Sequence, residues 1–305
     1  MPTANGLDSG SYTDRGQDVA RKEEVWAKLH DSFARRLQNV ARMPLRLLCR
    51  GSARLRRRRT VVLAYHSVGD GRDAVGEREF QKQMKFLHEN AQVVDLEAIV
   101  RGDHLKTEAR LTCAITFDDG YANVHKIAGP LLYAYKFPAK VYLTVGAIDP
   151  EKSRSAAEFK GLFQDETMLT WKQVIELYRI GFTFGSHLCQ HHDMTQLEES
   201  KLAWELEQSK TIITERLGVE CRHFAYPFGY FDRQCVQLVS RAGYESAVTV
   251  MHRNVPNACD PLRIPRMCIA PFHTLADFGR MLGGDFDYLP IIQRTRRVLR
   301  LDYQV

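Results

Sequence analysis

Apolar residues in this chain fall into short continuous runs separated by stretches with helical periodicity. Thr60–Ala64, Leu111–Phe117, Ala139–Val145, Phe182–Gly185, His223–Tyr226 and Ser246–Val250 each predict a short strand buried on both faces. Between them, Glu77–Asn90, Tyr121–Tyr135, Thr170–Ile180, Leu197–Leu217 and Arg233–Ala242 predict helices. This alternation implies parallel strands joined by helical crossovers. Six or seven such units in about 230 residues suit a barrel better than a short doubly wound sheet. No internal repeat is present.

Ahead of the first strand the pattern changes. Residues 1–20 carry few apolar anchors and read as disordered. From Glu23 to Leu48, Trp26, Leu29, Phe33, Leu37 and Val40 form one helical stripe, with Arg35, Arg36 and Arg42 elsewhere. The run Arg54-Leu55-Arg56-Arg57-Arg58-Arg59 follows. One reading is a helix packed on the domain with a solvated basic linker. The other is a basic amphipathic helix making peripheral contact with an anionic membrane through residues 23–59.

Charge and composition sharpen this division. Residues 1–59 hold 14 Lys+Arg against 6 Asp+Glu, residues 291–305 hold 4 against 1, and the middle holds 25 against 30. The basic surplus belongs to the ends, and the mildly acidic centre argues against a nucleic-acid enzyme. Seven cysteines without a CxxC pair indicate neither a zinc knuckle nor a disulfide framework. No apolar run reaches the roughly 18 residues of a membrane span. Met1–Gln17 lacks the apolar core of a secretory signal, so the expected compartment is the cytoplasm.

The candidate chemistry sits at strand ends. Thr116-Phe117-Asp118-Asp119-Gly120 runs a strand into two adjacent carboxylates that point different ways, with a glycine to turn the chain. Gly185-Ser186-His187-Leu188-Cys189-Gln190-His191-His192 follows another strand. Its His187 and His191 are spaced to face one cation, with His192 a rival to His191 if the segment is extended. One carboxylate and two imidazoles make a three-ligand site with open positions, and a spare carboxylate can serve as base.

TFDDG, GSHxxxH and the later Tyr226-Pro227-Phe228-Gly229, in that order, resemble the polysaccharide deacetylase family (the NodB-homology, carbohydrate esterase 4 domain) over roughly residues 60–285. The resemblance implies an α/β fold, a distorted (β/α)7 barrel, with a basic helical N-terminal extension at 1–59 and a basic tail at 286–305. It implies Asp118 as general base, Asp119, His187 and His191 as metal ligands, and the Phe228 backbone N–H as oxyanion donor. The cofactor implied is a divalent metal, Zn2+ first, with Co2+, Ni2+ or Fe2+ as alternatives.

Two family features are missing. Ala225 stands where an arginine often orients the catalytic aspartate, and no late Leu-x-His supplies the acid. Tyr65-His66-Ser67-Val68 is similar to the opening strand of an exopolysaccharide deacetylase subgroup, which makes His66 the expected acid, with His273 the alternative. Arg266 either supports Asp118 or forms a structural ion pair. Tyr121, Tyr226, Pro227 and Arg266 are candidate substrate contacts; Thr195 and Trp171 line the pocket or pack. The activity implied is N-acetyl amide hydrolysis on an amino-sugar glycan or precursor, in exopolysaccharide or cell-envelope glycan synthesis. The alternatives are deacylation or deformylation of a small or lipid-linked precursor, and a non-catalytic carbohydrate-binding relative.

Overall fold

The computed structural model describes residues 58–71, 74–148, 167–287 and 289. The expected disordered segment, basic helix and most of the C-terminal tail lie outside the described residues. Among those described, no helix is long and apolar enough to cross a membrane.

Ten strands are described: β1 Arg59–Tyr65, β2 Ser67–Val68, β3 Ala74–Val75, β4 Gln92–Val93, β5 Leu111–Phe117, β6 Ala139–Leu143, β7 Thr183–Ser186, β8 His223–Ala225, β9 Ser246–Val248 and β10 Met267–Cys268. Seven of them form one curled path in the order β10-β1-β5-β6-β7-β8-β9, every pair parallel, and β4 adds to β5. The segment around β10 makes the seam. Ile264 bridges Val248 on one side, and Met267 pairs with Leu63 on the other. The result is the expected distorted seven-stranded barrel.

Burial on both faces explains why the strands read as continuous apolar runs. Odd-numbered residues of β1 and β5, such as Leu63, Ile115 and Phe117, belong to the large core under the helices. Val62, Ala114, Tyr142, Ala225 and Val248 form a separate inner cluster, one residue from each of five strands. Gly185 lets the Tyr142 ring lie against β7, since a Cβ there would sit 2.6 Å from the ring.

The helices among the described residues are α1 Glu77–Asn90, α2 Leu96–Val100, α3 Gly129–Tyr135, α4 Trp171–Arg179, α5 Glu199–Leu217, α6 Arg233–Arg241 and α7 Leu275–Gly283. In α1, Phe80, Met84 and Leu87 are buried at spacings of four and three, as an amphipathic stripe requires. Capping boxes start α4 at Thr170 with Gln173 and α7 at Thr274 with Asp277. The predicted single helix Tyr121–Tyr135 is instead a π-helical turn at Val124–Ala128 followed by α3. Pro130 at the start of α3 has no N–H to continue a regular ladder.

Candidate metal centre and carboxylate pair

The residues singled out in the sequence stand at the C-terminal ends of β1, β5, β7 and β8, the side on which barrels gather functional groups. Asp118 ends β5 with its amide bonded to the Tyr65 carbonyl at 2.9 Å. Asp119 then adopts a left-handed conformation, φ 71°, and Gly120 follows at φ 93°. The reversal separates the two carboxylates. Leu188 after β7 and Phe228 after β8 are also left-handed; among the described residues the only other non-glycine so placed is Lys136, the C-cap of α3. Such conformations cost about 1–2 kcal/mol each and persist only where surrounding contacts enforce them.

Asp119 Oδ1 lies 3.5 Å from Nε2 of His187 and 3.5 Å from Nε2 of His191, and the two Nε2 atoms are 3.1 Å apart. Donors bonded to one first-row cation at about 2.1 Å stand roughly 3.4 Å apart in a tetrahedral arrangement. The fit extends to protonation. His187 Nδ1 is 2.8 Å from the Ala225 carbonyl, which only accepts, so Nδ1 carries the proton and Nε2 presents its lone pair. Burial, then the neighbouring His187, holds His191 well below its usual range and neutral. Asp119 Oδ1 is buried without a hydrogen-bond partner, and burial pushes the Asp119 carboxyl up. A cation is the partner that this oxygen lacks. Asp119, His187 and His191 are therefore suited to hold a divalent metal. His192 is not in the set: its Nδ1 turns to Glu205 Oε1 at 3.4 Å.

The second carboxylate is held differently. Arg266 grips Asp118 with two parallel bonds, Nη1 to Oδ1 at 2.7 Å and Nη2 to Oδ2 at 2.6 Å. The guanidinium is fully buried; it also donates to the Thr249 carbonyl and the Thr116 hydroxyl. Burial alone would raise Asp118, but the Arg266 charge and hydrogen bonds override it and hold the carboxyl far below the usual range. Both readings of Arg266, support of Asp118 and a structural ion pair, require this contact. Ala225, where the family often has an arginine, accepts from His187 through its carbonyl instead.

The polysaccharide deacetylase family model matches residues 106–247, from before β5 to the middle of β9. That stretch, a little under half of the chain, holds Asp118, Asp119, His187 and His191, and through it the chain is similar to that family. The chain is 25% identical over 191 residues to the Bacillus subtilis (strain 168) polysaccharide deacetylase-type protein YxkH, covering 62% of this chain and 63% of that one. It is 22% identical over 207 residues to the poly-beta-1,6-N-acetyl-D-glucosamine N-deacetylase of Staphylococcus aureus (strain MRSA252), covering 65% of this chain and 68% of that one. Among solved structures, the Streptococcus pyogenes deacetylase PplD in complex with acetate superposes with a TM-score of 0.63 at 21% identity, over 73% of this chain and 98% of that one. That likeness concerns the fold.

The remaining candidates differ in their placement. His66 follows Tyr65, which pairs with Phe117, so it stands level with Asp118 at the strand ends. His273 neighbours His252, and its Nδ1 accepts the Ala270 N–H at 3.0 Å. Phe228 packs its ring on His191, centroids 4.3 Å apart. Tyr121 hydrogen-bonds Asp119.

Tyr226 and Pro227 are not where a substrate contact would need them. Both are buried, and the Tyr226 hydroxyl donates to the Leu262 carbonyl at 3.0 Å. Strand alternation turns Tyr226 toward the large core and away from the opening. Trp171 packs under Arg216, and Thr195 donates to Asp193 within a local turn. One residue beside the site went unread: Glu205 of α5, whose Oε2 accepts the N–H groups of Cys189 and Gln190. Nothing in its helical spacing marks it, because Lys201 four residues earlier makes it look like half of a surface pair.

Proposed function

We propose that this protein is a metal-dependent hydrolase that removes the acetyl group from N-acetylated amino sugars in a polysaccharide or glycan precursor. The observation that carries the reading is the convergence of Asp119, His187 and His191 beside an Asp118 kept ionised by Arg266. A divalent cation on those donors, zinc or one of its cobalt, nickel or iron counterparts, supplies a Lewis acid that polarises a carbonyl and brings the pKa of water down to about 7.

Asp118 takes the proton from the attacking water as the new C–O bond forms. A carboxylate held so low releases that proton readily, so it serves as a relay and not as a proton store. The Phe228 N–H donates to the developing oxyanion. His66 protonates the sugar nitrogen as the C–N bond breaks, releasing acetate and a free amine. Tyr121 holds Asp119 in place through its hydroxyl.

A β-1,6-linked N-acetylglucosamine polymer is the first substrate to test, on the strength of the S. aureus relative's name. The test is acetate release from that polymer, from N-acetylated lipid-linked sugars and from nucleotide sugars, with zinc-loaded and chelated protein. Zinc-dependent acetate release from the polymer is the expected result. Release equal in chelated protein, or none from any N-acetyl sugar, overturns the reading.

A further inference from the structure

The loop that carries both histidines rests on one buried side chain. Between His187 and His191 the chain must reverse so that two Nε2 atoms finish 3.1 Å apart, and it does so through left-handed Leu188. Most polar groups of this loop are met by backbone or by the loop itself. Leu188 N–H donates to Ser186 Oγ, Val145 N–H donates to the Leu188 carbonyl, and Gly146 N–H donates to the Cys189 carbonyl. The N–H groups of Cys189 and Gln190 point the other way. Both donate to Glu205 Oε2, at 2.9 and 3.0 Å.

Glu205 is wholly buried on α5. Its second oxygen faces His192 Nδ1 at 3.4 Å and Lys201 Nζ at 3.5 Å. One helical turn on, Ser209 Oγ lies 2.7 Å from Ser186 Oγ, so the 205/209 edge of α5 forms a polar bed under the loop. An apolar side chain would fill this space at lower desolvation cost, unless the two amides need an acceptor. Cys189 is excluded as that acceptor, since its Sγ turns to the Glu205 carbonyl at 3.8 Å.

We propose that Glu205 is the positioning residue of the histidine pair: by fixing the Cys189 and Gln190 amides it sets the separation of the two Nε2 atoms, and with it the affinity of the site for a divalent cation. This rests on the metal-dependent reading above. The experiment is a zinc chelator competition on the full chain, comparing wild type, Glu205→Leu and Glu205→Gln, with thermal melts of the zinc-free proteins alongside.

Glu205→Leu is expected to bind zinc about 10- to 100-fold more weakly, the usual effect of losing a residue that orients a ligand. Glu205→Gln keeps an acceptor oxygen without its charge, and its loss should be about 3- to 10-fold. Acetate turnover of both should return toward wild type when zinc is in large excess, which a purely structural defect would not allow. Wild-type zinc affinity in a folded Glu205→Leu protein overturns the proposal, even if its melting temperature falls. If that variant does not fold, unchanged affinity in Glu205→Gln overturns it. A wild type that binds no zinc sinks the parent reading, whereas a wild type and variants that bind alike sink only the role of Glu205.

Discussion

The barrel interior holds a polar cluster at each end of its strands, and the two are assembled on opposite terms. At the N-terminal ends, Lys140 of β6 lies 3.6 Å from Glu97 Oε1, and the same oxygen is 3.2 Å from His223 Nε2. His223 Nδ1 meets the Ser246 hydroxyl at 2.7 Å. Burial, then Lys140, pushes His223 down to about 3, so the ring is neutral, donating to Glu97 and accepting from Ser246. A cavity of about 240 Å³ adjoins this cluster. At the C-terminal ends, Nε2 of His187, Nε2 of His191 and Oδ1 of Asp119 converge within 3.5 Å of one another. Charge that closes on itself reads as architecture. A buried carboxylate oxygen facing two imidazoles reads as a site for a cation.

The strongest way to break this contrast is at Asp118. Asp118→Asn should lower acetate turnover by about 10²- to 10⁴-fold, the range for loss of a general base, with zinc content unchanged by elemental analysis. Turnover near wild type would move Asp118 from the reacting centre to the structural class of Lys140.

Next in size is Arg266→Met. Removing one partner of a buried pair costs about 3–5 kcal/mol, measurable by urea unfolding. The pH dependence carries a sign. With the folded carboxyl depressed below its unfolded value of about 3.9, the pair stabilises above that pH and loses its contribution as pH falls through the folded value. Without the guanidinium, burial raises Asp118, and the acidic limb of the pH–rate profile should move to higher pH. An unmoved limb would show that Arg266 does not govern Asp118.

The smallest effect belongs to the other cluster. Lys140→Met leaves Glu97, which is 38% exposed, free to rehydrate. Its stability should change by about 1 kcal/mol or less. Turnover should stay within about twofold of wild type, since the site lies at the opposite ends of the strands. A large loss of turnover without unfolding would erase the distinction between the two ends.

The same contrast explains how far the sequence could be read. The six longer strands stood out because burial on both faces makes them unbroken apolar runs. Asp118, Asp119, His187 and His191 stood out because chemistry at strand ends uses residue types that cores avoid. The seam strand Met267–Cys268 was invisible as a strand, since two residues carry no alternation. Helix α7 was missed as well, because Gly279 in its middle and Gly283-Gly284 at its end make the stretch read as a loop. Choosing between His191 and His192 needed the left-handed turn at Leu188, and spacing alone does not encode that. Tyr226 was misplaced because its motif neighbours Phe228; the strand ends at Ala225, and the left-handed turn at Phe228 sends the two side chains to different surroundings. Arg266 reaches Asp118 across 148 residues of sequence, a link that only the closed barrel creates.

The ion pair between Arg59 and Asp287 has a geometric consequence. Two bonds of 2.7 and 2.8 Å clamp the first residue of β1 to a residue just beyond α7. The polypeptide therefore enters and leaves the barrel at one shared corner. That corner is at the foot of β1, while His66 is at its head, about 20 Å away at the usual rise per strand residue. Residues 59 and 287 thus share the foot of the barrel, and the histidines and carboxylates stand on the opposite rim.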